Sequence, residues 1–176
     1  MKRQVVINSL MCYLLISLCA WGQETVVLPL TYWNIPDRNF YIKDVIDQTG
    51  ISNVFSQDTT HLLKVSSPRG SQHLSFVMND FFSEAMPRWV GQKPVYVRFK
   101  NFQITQRKSG FSKTGKIQIY IEFLAISKGK IPVKLFAIQK TISYKGVNHA
   151  QKLSILLREV IDQFMISHWE QRYPTV

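Results

Sequence analysis

Three runs of alternating apolar and polar residues lie between two amphipathic helical segments, and this order constrains the fold more than any other feature of the chain. The runs span 93–106, 116–127 and 133–144. The first run changes phase near Asn101, which predicts a β-bulge. The segments between the runs, 107–115 and 128–132, are short enough to be the loops of antiparallel hairpins. The sequence therefore predicts a three-stranded antiparallel meander.

Each flanking segment places its apolar residues at helical spacing. The first begins at Ser71, a favourable N-cap residue, and should end at Pro87. The second begins near Asn148 and carries an apolar stripe to Trp169. Two such helices need one apolar surface to cover, and the meander supplies it. We expect an α+β two-layer sandwich, with both amphipathic helices on one face of an antiparallel sheet.

The segment before the first helix is less regular. Residues 25–33 predict a strand that Pro29 places at an edge or interrupts. Pro36 to Asn39 predicts a turn, and we expect Asp37 and Arg38 to hold this turn rather than to act in catalysis. Within 40–67, only 51–55 and 62–65 indicate short strands.

The first 22 residues have the pattern of a secretory signal peptide. Lys2 and Arg3 precede an apolar run, and Ala20-Trp21-Gly22 places small residues where signal peptidase cuts. The run falls short of the roughly 20 apolar residues that span a bilayer, which favours cleavage over a membrane anchor. A single α+β domain is then predicted for 23–176.

Both cysteines of the chain, Cys12 and Cys19, lie inside this segment. A chain cut after Gly22 would hold no disulfide, thiolate metal site or cysteine nucleophile. Alternatively, Leu15 to Cys19 loosely resembles a lipoprotein signal, in which the cut precedes Cys19 and that cysteine is acylated. Either interpretation exports the protein, and we expect it in the periplasm or at the outer membrane of a bacterial envelope.

The positive charge is regional. Residues 93–145 contain twelve Lys or Arg and one acidic residue, Glu122, whereas the rest of the predicted mature chain has eight basic and ten acidic residues. A solvated basic face that serves solubility is the simplest explanation. Concentration in one third of the chain favours an anion-facing surface instead. The predicted hairpins gather these cations at two ends: Arg107, Lys108, Lys113, Lys116 and Lys145 at one, and Lys93, Lys128, Lys130 and Lys134 at the other.

No pattern indicates catalysis. The four histidines lack the spacing of a helical zinc pair, and we expect them to be polar surface groups. The carboxylates are sparse, and nucleophile-elbow, phosphate-loop and dinucleotide-binding motifs are absent. We therefore predict no catalytic residue, no metal and no cofactor. Predicted export also argues against a nucleic-acid partner.

The order of elements resembles a group of bacterial envelope proteins that includes the YajG-type lipoproteins and the auxiliary lipoproteins of ABC-type lipid transport systems. The resemblance is carried by Ile35-Pro36-Asp37-Arg38, the helix from Ser71 to Met86, the meander from Lys93 to Tyr144 and the closing helix from Asn148 to Trp169. It implies a non-enzymatic role in outer-membrane or phospholipid homeostasis, as a partner of a transport complex.

The leading hypothesis is an exported, non-enzymatic envelope protein. It would contact anionic lipid, lipopolysaccharide phosphate or an envelope complex through the basic hairpin ends. One alternative is a protein–protein module of a secretion or envelope assembly apparatus, which would use an exposed strand edge. Another is a hydrolase of envelope polymers, which would need a histidine and a carboxylate in one cleft.

Overall fold

A computed structural model describes residues 25–29, 31–49, 60–66 (of 60–63 the backbone only), 73–126 and 131–174. The predicted signal segment, with Cys12 and Cys19, lies outside these residues, as do the predicted strand 51–55 and the loop with Lys128 and Lys130. The elements are β1 Thr25–Val27, β2 Phe40–Asp47, β3 Thr60–Ser66, α1 Leu74–Ala85, β4 Lys93–Ser109, β5 Ser112–Ala125, β6 Val133–Lys145, α2 His149–Met165 and a 3-10 helix Trp169–Arg172.

The three long strands β4, β5 and β6 pair consecutively and antiparallel. The register shifts between Phe99 and Asn101, which confirms the predicted bulge. The prediction of a loop over 107–115 is wrong, because β4 and β5 continue to a two-residue turn, Gly110 and Phe111. Alternation reveals a strand only where one face is buried, and the residues nearest this turn are exposed on both faces.

The sheet is mixed, so the prediction of an antiparallel sheet is wrong for two strand pairs, β2 with β4 and β1 with β3. β2 runs parallel to residues 93–99 of β4, and β3 runs antiparallel to residues 104–107 on the same edge. β1 then pairs in parallel with β3. The sequence pattern does not predict β2, because a register shift between Ile42 and Asp44 breaks the alternation of its apolar and polar residues. Residues 62–65, predicted as a strand, lie within β3.

Of the predicted first strand, 25–33, only Thr25–Val27 forms a strand, which is β1. The chain has left the strand before Pro29, which has no N–H to donate. Farther on, the Trp33 N–H donates to the Ala85 carbonyl at the end of α1, at 2.8 Å. Trp33 is buried and meets Phe81 edge-on, at 5.2 Å between ring centroids. This segment therefore binds the helix layer rather than extending the sheet.

Both helices cover the same face of the sheet and share one hydrophobic core with it, which confirms the α+β two-layer sandwich. The core-facing residues of α1 are Val77, Met78, Phe81, Phe82 and Ala85, and those of α2 are His149, Leu153, Leu156, Leu157, Val160, Ile161 and Phe164. Opposite them lie alternate residues of the long strands: Val95, Val97, Phe99 and Ile104 on β4, and Ile117, Ile119, Ile121 and Phe123 on β5.

The helix ends differ from the predictions. The N-cap of α1 is His73, which makes no side-chain capping bond, and not Ser71, which lies outside the described residues. Asn148 is the N-cap of α2, as predicted, but its side-chain amide donates to Gln151 Oε1 instead of capping the backbone. α2 ends at Met165, earlier than predicted, and Trp169 belongs to the separate 3-10 helix.

The predicted turn at Pro36 to Asn39 is confirmed, and Asp37 adopts a left-handed conformation in it, with φ 55°. The adjoining Arg38 is buried. Its guanidinium donates to the carbonyls of Met86 at 3.0 Å and Pro87 at 2.6 Å, just past the last turn of α1. A cation at this position stabilises the negative end of the helix dipole. Burial of the guanidinium lowers the pKa of Arg38 from its ordinary value. Arg38 thus fixes the turn to α1, in line with the predicted structural role.

Candidate anion-binding surface at the β4–β5 hairpin

The antiparallel register brings five of the predicted contact residues together at one end of the sheet: Arg107, Lys108, Lys113, Lys116 and Lys145, here called the basic hairpin end. Three rungs hold them: Lys108–Lys113, Arg107–Thr114–Lys145 and Thr105–Lys116–Ser143. Because strands rise about 3.4 Å per residue, the five cations lie within about 10 Å along the strand direction. Arg107, Lys108 and Lys113 lie on strands and not in the loop over 107–115 that the sequence predicted.

The two faces of the sheet share these cations. Arg107, Lys116 and Lys145 are exposed and alternate with core residues such as Ile117, so they project from the face opposite the helices. Lys108 and Lys113 project from the other face and lie directly opposite each other in the rung next to the terminal one. Like charges directly opposite in a ladder are destabilising, so this rung costs stability unless an anion meets it.

A shallow depression of about 420 Å³ lies on the helix-free face at this end. Two cations, three hydroxyl groups and one amide line it: Arg107, Lys116, Thr105, Thr114, Ser143 and Gln118. Such a set supplies positive charge and hydrogen-bond donors that a phosphate or a carboxylate can accept.

Acidic side chains are scarce along the three strands that form the basic hairpin end. Along β4, β5 and β6 the one acidic residue is Glu122, six residues and therefore about 20 Å from Lys116 along β5. That separation exceeds the Debye length of about 8 Å at physiological ionic strength. In addition, Glu122 already pairs with Arg98, whose Nη2 lies 2.5 Å from Glu122 Oε2. Glu122 therefore does not neutralise the cations at the hairpin end.

The second predicted cluster is not a comparable surface in the part of the chain that the structure describes. Lys93 lies over the rings of Trp169 and Tyr173, with Nζ 5.7 and 5.2 Å from their centroids. Lys134 Nζ is 3.8 Å from Glu122 Oε1. Both cations thus have partners of their own, and Lys128 and Lys130 lie outside the described residues.

A buried polar cluster supports the basic hairpin end from the core side. His149 Nε2 lies 2.8 Å from Gln106 Oε1, and His149 Nδ1 lies 2.5 Å from the Tyr144 hydroxyl. Burial raises the pKa of Tyr144 to about 12, so its hydroxyl keeps its proton at physiological pH. The prediction that the histidines are surface groups is wrong for His149, which is buried. No local pattern could reveal this contact, because Gln106 and His149 are 43 residues apart.

Gly115 occupies the same rung as Gln106 and Tyr144 and makes room for the tyrosine ring. A Cβ atom at Gly115 would stand 2.5 Å from Tyr144 Cε2. Because His149 holds the hydroxyl of that ring, the ring cannot move away without losing this partly buried hydrogen bond. Gly115→Ala should therefore lower the free energy of unfolding by about 1–3 kcal/mol, measured by urea denaturation.

The matched background for this substitution is Tyr144→Ala, which removes the ring. In that background Gly115→Ala should cost well under half as much, because alanine is otherwise the better strand residue. Equal costs in the two backgrounds would show that the close approach of Tyr144 does not account for the glycine.

Neither other proteins nor the grouping of the described side chains assigns a known kind of site to this chain. The described residues do not bring three potential metal-ligating side chains of His, Cys, Asp or Glu together. Within the same ranges, no helix has both the length and the apolar character needed to cross a membrane. No protein-family model, curated protein or solved structure matches the chain. The resemblance to envelope lipoproteins therefore stays a prediction.

Proposed function

We propose that this protein is an exported, non-enzymatic envelope protein that captures phosphate-bearing polyanions, such as anionic lipid headgroups or lipopolysaccharide, through its basic hairpin end. One observation carries the proposal: five cations occupy three rungs at one end of the sheet, and no carboxylate lies among the strand residues of those rungs. Charge of one sign, concentrated on a fixed scaffold, attracts anions over distances comparable to the Debye length.

The depression on the helix-free face supports binding of a discrete anionic group. Arg107 and Lys116 provide charge at its lining, and Thr114 and Ser143 provide hydroxyl donors beside them. The strands that present these groups are anchored by core residues such as Ile104 and Ile117, which are fully buried. The basic side chains thus start from a scaffold that needs no folding on binding, which lowers the entropic cost of association.

The proposal predicts salt-sensitive binding to anionic vesicles. The chain from residue 23 onward should sediment with vesicles that contain phosphatidylglycerol and not with vesicles of phosphatidylcholine alone. A basic residue near an anionic membrane contributes about 1 kcal/mol, so Arg107→Gln/Lys116→Gln/Lys145→Gln should weaken binding by about 100-fold. Raising the salt concentration from about 50 mM to about 500 mM should steeply weaken the binding of the wild-type protein to these vesicles.

A variant of equal net charge provides the control. Lys43, Arg88 and Lys100 are exposed and lie on β2, after α1 and at the β4 bulge, all away from the basic hairpin end, and their combined change to glutamine should reduce binding much less. If the two triple variants lost binding equally, net charge rather than a site would be responsible. If the wild-type protein bound neutral and anionic vesicles alike, anion capture would be disproved.

A further inference from the structure

An aromatic side chain stands at the extreme tip of the basic hairpin end. Phe111 is the second residue of the turn that joins β4 to β5, and its side chain is fully exposed, at 112% of the reference value. Gly110, with φ +56°, precedes it, as a type II′ turn requires. Such turns ordinarily follow the glycine with a small polar residue, so the turn itself does not call for phenylalanine.

Among the described residues, one further apolar side chain and four cations lie near Phe111, behind the rung of Ser109 and Ser112. Val147 is 53% exposed and lies at the same end, because the adjoining Gly146 N–H donates to the Lys113 carbonyl at 2.8 Å. Lys108 and Lys113 form the second rung below the turn, followed by the rung of Arg107 and Lys145. The tip of the hairpin therefore presents exposed apolar side chains, and two rungs of cations follow behind them along the strands.

We infer that Phe111 is a membrane-insertion residue, which enters the acyl-chain boundary of an anionic bilayer while the basic hairpin end holds the lipid phosphates above it. This inference rests on the proposed anion binding, and it specifies that the anions belong to a bilayer rather than to a soluble polymer. Charge complementarity selects this occupant. A soluble polyanion would gain from the cations but would leave the phenyl ring in water, whereas an anionic membrane satisfies both.

The dimensions agree with shallow insertion. Two to three residues separate Phe111 from Lys108 and Lys113, which is about 7–10 Å along a strand. Interfacial segments bury their apolar side chains by about 5–10 Å into the boundary between headgroups and acyl chains. With Phe111 at that depth, the lysine ammonium groups reach the level of the phosphates, where long basic side chains extend toward the polar layer.

The test compares a bilayer with a soluble polyanion. Phe111→Ser should lower the affinity for vesicles of phosphatidylglycerol and phosphatidylethanolamine by about 10-fold to 100-fold. Its affinity for inorganic polyphosphate should stay that of the wild type, because the cations are unchanged. Ile166→Ser is the matched control, since Ile166 is 76% exposed at the C-terminal end of α2, and it should alter neither affinity.

A second measurement locates the side chain directly. Phe111→Trp should show a blue-shifted emission on vesicles and be quenched by lipids with brominated acyl chains, whereas the added indole of Ile166→Trp should not. If Phe111→Ser binds vesicles like the wild type while Arg107→Gln/Lys116→Gln/Lys145→Gln does not, insertion is wrong and anion capture stands. If Phe111→Ser also loses affinity for polyphosphate, the ring contacts the anion itself, and the inference of membrane insertion is again overturned. If none of these variants changes vesicle binding, both the insertion of Phe111 and the proposed function are wrong.

Discussion

Replacing Phe164 by alanine should lower the free energy of unfolding by about 3–5 kcal/mol, the usual cost of truncating a buried phenylalanine. Phe164 is fully buried in α2. Its ring stacks on Phe123 of β5, with centroids 4.2 Å apart and planes 6° apart, and on Trp169, at 5.2 Å. It also meets Phe40 of β2 edge-on at 4.9 Å. One side chain therefore joins α2, the 3-10 helix and two strands, and aromatic pairs add to the loss of buried area.

The measurement is urea denaturation of the purified domain, monitored by near-ultraviolet circular dichroism of the aromatic side chains, among them Trp169. Ile155→Ala is the matched control, since Ile155 lies in the same helix and is 47% exposed. It should cost less than about 1 kcal/mol. A cost below about 1 kcal/mol for Phe164→Ala as well would contradict the packing described. A cavity of this size cannot close without rearranging the aromatic neighbours Phe40, Phe123, Phe136 and Trp169.

Glu122→Gln should lower the free energy of unfolding by about 2–4 kcal/mol at neutral pH. Breaking a buried ion pair costs about 3–5 kcal/mol. We expect a smaller cost here because the Arg98 side chain is 23% exposed and reaches water. Glu122 itself is 5% exposed and accepts from Arg98 Nε at 2.8 Å as well as pairing with Nη2. The substitution leaves this guanidinium without its counterion.

The effect should depend on pH in a defined direction. Burial would raise the pKa of Glu122, but the hydrogen bond from Arg98 and the nearby positive charges outweigh it and hold this pKa below its ordinary value of 4.5. A carboxyl group whose pKa is lower in the folded state stabilises the protein above the unfolded-state pKa. That stability is lost as the pH falls through the folded-state pKa. The difference between wild type and Glu122→Gln should therefore shrink below about pH 4.5.

Two further variants separate the ion pair from other causes. Arg98→Met/Glu122→Leu should recover much of the stability lost in Glu122→Gln, since an apolar pair needs no buried counterion. Asp162→Asn breaks an exposed pair, in which Arg158 Nε lies 3.0 Å from Asp162 Oδ1, and should cost less than about 0.5 kcal/mol. If Glu122→Gln cost no more than Asp162→Asn, the buried pair would not stabilise the fold.

The basic hairpin end shows how far a pattern in the sequence reaches. The alternation of the three runs, with hairpins between them, predicted that Arg107, Lys108, Lys113, Lys116 and Lys145 lie at one end of the meander, and the register places them there. The same alternation disappears near the turn, where both faces meet water. For that reason the sequence predicts a loop for the strand residues next to the turn and gives no sign of the exposed position of Phe111.

The sequence by itself determined the features that repeat along the chain. Apolar stripes at helical spacing and alternation at strand spacing were enough to predict two helices on one face of a β-meander, because each period records which side of an element is buried. The bulge near Asn101 was predicted for the same reason, as a change of that phase.

Only the tertiary structure decided the features that depend on distant residues. The parallel pairing of β2 with β4, the contact of His149 with Gln106 and the pair of Arg98 with Glu122 each join segments from 24 to more than 40 residues apart. Their residues carry no local periodicity that names a partner. Packing of the whole chain selects these contacts, since a polar group is buried only where a complementary group meets it.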